Sequence, residues 1–132
     1  MRNIKFRGKS LETDDWVYGF LADGNLICTW DNFRNAHEVL PTTVGQFTGL
    51  YDKNGTEIYE GDILQWGYEH KIKQVVEFRN GAFGYCYDDI GSFVPYAANT
   101  NFDFAELGTD KRFEIIGNIH DNPELLEEGG DR

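Results

Sequence analysis

Proline is scarce in this 132-residue chain, with three, and serine is limited to Ser10 and Ser92. Neither serine lies in a Gly-x-Ser-x-Gly elbow, so an esterase-type nucleophile is not readable. The two cysteines, Cys28 and Cys86, are far apart and have no metal-type spacing. They read as free thiols in a reducing compartment. Cys86, between Tyr85 and Tyr87, fits a packed thiol better than a nucleophile. Positive charge is also in short supply, with 12 basic residues against 23 acidic ones and a net charge of −11. Such a field repels phosphate backbones, so direct nucleic-acid binding is not expected. No apolar run is long enough to span a membrane or to follow Arg2, Lys5 and Arg7 as a signal peptide. A cytoplasmic location is therefore the expectation.

What is abundant is glycine and aromatic surface. Fifteen Gly with seven Tyr, ten Phe and three Trp favour strands joined by tight turns. The length suits one domain that buries one core without staples.

Gly-containing dipeptides punctuate the sequence. A two-residue Asp23-Gly24 turn between Trp16–Leu21 and Asn25–Thr29 pairs Leu21 with Leu26 and Phe20 with Ile27. A two-residue Asn80-Gly81 turn between Ile72–Arg79 and Ala82–Tyr87 pairs Phe78 with Phe83 and Val76 with Tyr85. The stretch Thr48–Leu64, TGLYDKNGTEIYEGDIL, holds a third hairpin. A two-residue Asn54-Gly55 loop would set Asp52 opposite Glu57, a repulsive pair. A three-residue loop, Lys53-Asn54-Gly55, avoids this. It makes Gly55 left-handed, lets Asp52 bond its own turn and sets Leu50 opposite Ile58. Glu60-Gly61-Asp62 forms a second corner, followed by a strand over Ile63–Trp66. Arg112–Ile119 reads as another strand. A short helix follows, with Asn122 as N-cap, Pro123 at the first position, Leu125 and Leu126 docking, and Gly129-Gly130 ending it. Asn99–Gly108 fits either period. At the N-terminus, alternation places Ile4 and Phe6 inside and Lys5, Arg7 and Lys9 outside, as a solvated strand face. Many short strands and one terminal helix indicate a small antiparallel barrel or sandwich.

Ile4-Lys5-Phe6-Arg7, Gln46-Phe47-Thr48-Gly49-Leu50, Asp52-Lys53-Asn54-Gly55, Ile58-Tyr59-Glu60-Gly61-Asp62-Ile63, Ile116-Gly117-Asn118-Ile119 and Asn122-Pro123-Glu124-Leu125-Leu126 occur in this order. Together they resemble the YopX family of phage and prophage proteins. Trp30–Leu40 and Asp88–Lys111 carry no distinctive match. The resemblance implies a mainly β protein with a small SH3-like barrel built from antiparallel hairpins, additional N-terminal strands and a short C-terminal helix. On one domain over 1–132, it implies a hairpin layer at about 1–48, a barrel core at about 49–120 and a helix at about 122–128. It implies no known activity, and an oligomer is in keeping with it.

Chemistry is hard to find in the residues themselves. Asp52, Glu57, Glu60 and Asp62 lack EF-hand spacing, and His37, His70 and His120 lack the spacing of zinc motifs. No glycine-rich loop joins a strand to a helix. No catalytic, cofactor or metal residue is therefore expected. Tyr51, Tyr59, Trp66 and Tyr68 gather around the central corner. On an SH3-like barrel they would form a contact surface for a host or phage protein or a second copy. The ordinary alternative is cross-strand packing. A non-enzymatic binding or self-assembling module is the leading expectation. A carboxylate-based, metal-assisted enzyme and an acidic nucleic-acid mimic are the alternatives.

Overall fold

The structure is a computed structural model, and it describes residues 4–29, 35–66, 72–79, 81–86, 93–96 and 113–127. The protein divides into two compact units, Met1–Gly49 and Leu50–Arg132. Among the described residues, both are built mainly from antiparallel strands.

The first unit contains β1 (Phe6–Lys9), β2 (Trp16–Asp23), β3 (Leu26–Thr29), β4 (Ala36–Glu38), a 3-10 turn (Pro41–Thr43) and the start of β5 (Gly45–Tyr51). Its strands are ordered β4-β3-β2-β1-β5. Val17, Ile27 and Val39 form the core, with Phe6, Leu21 and Val44 packed against them. Backbones approach closely at Gly19, where a Cβ would lie 2.0 Å from the Cys28 carbonyl oxygen. No other residue fits that contact without moving the neighbouring strand.

The β2–β3 hairpin differs from the sequence expectation by one residue. Asp23 faces Leu26, Leu21 faces Ile27, and Phe20 faces Cys28, with a bulge between Leu21 and Asp23. The turn is Gly24-Asn25, and Asp23 Oδ1 accepts the Gly24 N–H at 2.8 Å. In this register Leu21 and Ile27 join the same core face, which the expected Phe20–Ile27 pairing would have split. The N-terminal stretch also departs from simple alternation. Ile4 is 51% exposed, while Arg7 is only 6% exposed. The Arg7 guanidinium lies 4.5 Å from the Trp16 ring centre, and Lys9 Nζ lies 5.7 Å from it. An indole face and the aliphatic stems of the two cations bury what charge alone would place in water.

The second unit contains the end of β5, then β6 (Glu57–Tyr59), β7 (Asp62–Trp66), β8 (Ile72–Val75), β9 (Glu77–Arg79), β10 (Ala82–Cys86), β11 (Phe93–Pro95), β12 (Glu114–Asn118) and α1 (Glu124–Glu127). β5 pairs with β6, and two three-stranded sheets run β11-β10-β9 and β12-β7-β8. None of the sheets closes on itself among the described residues. Ile58, Leu64, Val76, Tyr96 and Phe113 form the core, with Leu50, Trp66, Phe83, Tyr85 and Ile115 against it.

Local turn chemistry explains the β5–β6 hairpin. Gly55 has φ +81°. Its N–H donates to the Asp52 carbonyl at 2.9 Å, and the Asp52 N–H donates to the Thr56 carbonyl at 2.9 Å. These bonds close the three-residue loop Lys53-Asn54-Gly55, and Leu50 packs against the cluster that holds Ile58. Gly61, at φ +93°, turns the backbone from β6 into β7.

Phe78 faces Phe83 as the pattern predicts, with ring centres 4.8 Å apart. The ladder stops at Gly84 opposite Glu77. Val76, expected opposite Tyr85, donates its N–H to the Asp62 carbonyl and accepts from the Gly61 N–H, both at 2.9 Å. The expected single strand Ile72–Arg79 therefore breaks into β8 and β9, each serving a different sheet. Asn80 and Asn99–Gly108 lie outside the described residues. β12 is shorter than the Arg112–Ile119 expectation and carries a bulge between Ile115 and Gly117.

Among the described residues the terminal helix is one turn, and its expected end at Gly129-Gly130 lies outside them. Asn122 does not cap it with its side chain, because its Oδ1 accepts the Asn118 N–H at 3.2 Å. Its carbonyl accepts the Leu125 N–H instead, at 3.1 Å. Leu126 is exposed rather than docked. No helix among the described residues is long and apolar enough to cross a membrane.

Candidate contact surfaces and the buried carboxylates

The acids of Thr48–Leu64 divide by burial. Asp52 and Asp62 are buried at 2% exposure each, while Glu57 and Glu60 are half-buried. Asp52 Oδ1 accepts the Asn54 and Thr56 N–H groups, both at 2.9 Å. Its Oδ2 accepts the Ile115 N–H on β12 at 3.1 Å. The Lys53 N–H donates to the Phe113 carbonyl at 2.8 Å, beside this clasp. Asp62 Oδ2 accepts the Tyr59 N–H across the Gly61 corner at 2.7 Å. Both carboxylates therefore satisfy buried backbone donors, a role that turn and strand geometry requires of them. Among the described residues, no three His, Cys, Asp or Glu side chains are grouped to hold a metal ion.

Asn118 does similar work at the end of β12. Its Oδ1 accepts the His120 and Asp121 N–H groups at 3.0 and 2.9 Å, and its Nδ2 donates to Asp121 Oδ2 at 3.2 Å. His120 packs over Gly61, with Nε2 3.6 Å from where a Cβ would lie. His37 is half-buried on β4, and His70 lies outside the described residues. The motif Ile116–Asn122 is thus a polar turn supporting the Gly61 corner.

One of the aromatics expected at the surface is buried. Tyr51 is half-buried on β5. Tyr59 is in the interior, 2% exposed, with its hydroxyl donating to Glu57 Oε1 at 3.2 Å. This corrects its assignment to a surface: β6 is covered on both sides, so the consecutive Ile58 and Tyr59 are both buried. Trp66 is half-buried and meets Phe113 edge-on, with ring centres 5.9 Å apart. Tyr68 lies outside the described residues.

Among the described residues, the most exposed aromatics are on other strands. On β2, Tyr18 and Phe20 are 44% and 38% exposed and alternate with the buried Val17 and Gly19. Across the β1–β2 pair Lys9 faces Trp16, and Arg7, itself buried, faces Tyr18. The period-2 pattern of Trp16–Leu21 is the signal that could have found this exposed row. In the second unit, Phe78 is 47% exposed beside the Glu77–Arg79 ion pair of 2.8 Å, and Arg79 lies over the Phe93 ring at 5.7 Å.

One buried polar group has a strongly shifted titration. Tyr96 donates its hydroxyl to Gln74 Oε1 at 3.1 Å in the second core. Burial, with the nearby charges of ionised Tyr85, Asp62 and Glu77, raises its pKa far above the ordinary phenol value. A raised folded-state pKa favours the neutral phenol. Its stabilising contribution is complete below the unfolded value of about 10 and declines as pH rises beyond it. Spectrophotometric titration should therefore leave Tyr96 un-ionised until the fold is lost. In Tyr96→Phe the late phase should be smaller by one tyrosine. A Tyr96 phenol that ionises with the exposed tyrosines would contradict its burial.

The profile of the YopX protein family matches residues 5–127. The protein belongs to the YopX family. The match spans both units and includes the Asp52 clasp, the Gly61 corner and the Asn118 turn. Among solved structures, this YopX protein is similar to protein EF1440 from Enterococcus faecalis, at 25% sequence identity and a TM-score of 0.60. The similarity covers 96% of this protein and 99% of that one. No match was found among curated proteins.

Proposed function

We propose that this YopX protein is a phage or prophage accessory module that works by contact rather than catalysis, in the cytoplasm of a bacterial host, through self-association. The second unit is read here as a partly open, SH3-like barrel, a scaffold on which strands and turns present a surface. The observation that carries the reading is the β2 face, where Tyr18 and Phe20 are exposed in one row. Exposed aromatics are common anchors of protein interfaces. The fully buried carboxylates, in contrast, are spent on backbone amides.

Light scattering at micromolar concentration should report a mass above the 15.2 kDa monomer. Tyr18→Ser combined with Phe20→Ser should return it toward the monomer, with folding intact, because both side chains are largely outside the core. A monomeric wild type would overturn the proposal. An oligomer unchanged by the double substitution would remove the β2 face from it.

A further inference from the structure

We propose that Asn54 is a spontaneous modification site, converted to aspartate and isoaspartate, and that the Asp52 clasp controls its rate. Asn54 is exposed and is followed by Gly55, the residue with least steric hindrance to attack by its own backbone nitrogen. In this chemistry the deprotonated Gly55 nitrogen attacks Asn54 Cγ. A bond forms between that nitrogen and Cγ, the bond from Cγ to Nδ2 breaks, and ammonia leaves with the proton. Water then opens the resulting succinimide at either carbonyl, giving aspartate or isoaspartate. No oxidant, metal or enzyme is required.

The native turn opposes the first step at two points. The Gly55 N–H is held by the Asp52 carbonyl at 2.9 Å, so the nucleophile is engaged as a donor. The Asn54 and Thr56 N–H groups are both held by Asp52 Oδ1 at 2.9 Å, which fixes the residues on either side of that nitrogen. Asp52 is itself fixed from outside the turn, through Oδ2 and the Ile115 N–H on β12. Reaction at Asn54 therefore requires the clasp to open. The consequence is one-way. Isoaspartate inserts a side-chain methylene into the backbone between positions 54 and 55, so the Gly55 N–H no longer meets the Asp52 carbonyl in a three-residue loop. Modification converts a transient opening into a permanent one.

The test uses the full-length protein in mildly alkaline buffer, native and in concentrated urea, sampled over days. The tryptic peptide that begins at Asn54 is followed by mass spectrometry for conversion of amide to acid and for isoaspartate. Because two native bonds must break first, the folded protein should react about tenfold or more slowly than the unfolded one. Asp52→Asn, checked for folding by near-UV circular dichroism, should bring the native rate toward the urea rate. Hydrogen exchange at the Gly55 amide of the wild type gives a readout independent of that variant, and it should show protection. Equal rates in buffer and urea, no conversion in urea, an unprotected Gly55 amide, or a folded Asp52→Asn with the wild-type rate would each overturn the proposal.

Discussion

Asp52→Ala should be among the most damaging single substitutions in this protein. The side chain is buried and its two oxygens accept three backbone N–H groups, from Asn54, Thr56 and Ile115. Two of these bonds hold the hairpin turn, and the third ties it to β12. Hydrogen bonds to a charged acceptor contribute about 1.5–3 kcal/mol each, and a buried donor left without an acceptor adds a desolvation cost. Because the three share one side chain they do not add fully, and a loss of about 3–5 kcal/mol is expected. Urea denaturation followed by tryptophan fluorescence measures it. Asp52→Asn keeps one carbonyl oxygen and should lose less than Asp52→Ala. A loss below about 1 kcal/mol, the range of an ordinary surface change, would mean that the clasp contributes little.

Phe113→Ala should produce a comparable loss by a different route. Phe113 is fully buried and meets Trp66 and Tyr96 edge-on, with ring centres 5.9 and 6.3 Å away. Removing a buried phenyl ring and leaving a cavity costs about 3–5 kcal/mol. Phe113→Leu keeps most of the volume and should lose much less. Phe78→Ala provides the contrast, since that ring is half-exposed at the β9–β10 hairpin, and about 1 kcal/mol or less is expected there. Similar losses for Phe113→Ala and Phe78→Ala in the same urea series would show that Phe113 is not at the centre of the second core.

These two residues illustrate how unevenly sequence and structure correspond. Asp52 was legible as a turn acceptor, because an Asp three residues before a left-handed glycine bonds its own loop in a known way. Its third bond, to Ile115, was not legible, since that partner is 63 positions away and nothing in either segment announces the pairing. The position of Phe113 at the head of a β-branched strand was readable. Its place among Trp66 and Tyr96 was not.

The sequence by itself determined the antiparallel, hairpin-rich class, the left-handed glycine at position 55, the corner at Gly61 and the Phe78–Phe83 register. It was also enough to carry the family resemblance, which the match over residues 5–127 establishes as membership. These features depend on a few adjacent residues, whose backbone limits act before any long-range contact forms. Only the tertiary structure decided which faces are covered. It buried Arg7 under the Trp16 indole while leaving Ile4 exposed, and it took Tyr59 into the core while leaving Tyr18 and Phe20 outside. It shifted the β2–β3 register by one residue around a bulge, and it divided Ile72–Arg79 at Val76 between two sheets. Each of these outcomes depends on what packs against a strand from elsewhere in the sequence. Alternation along a strand defines two faces, and only the neighbouring layers choose which of them meets water.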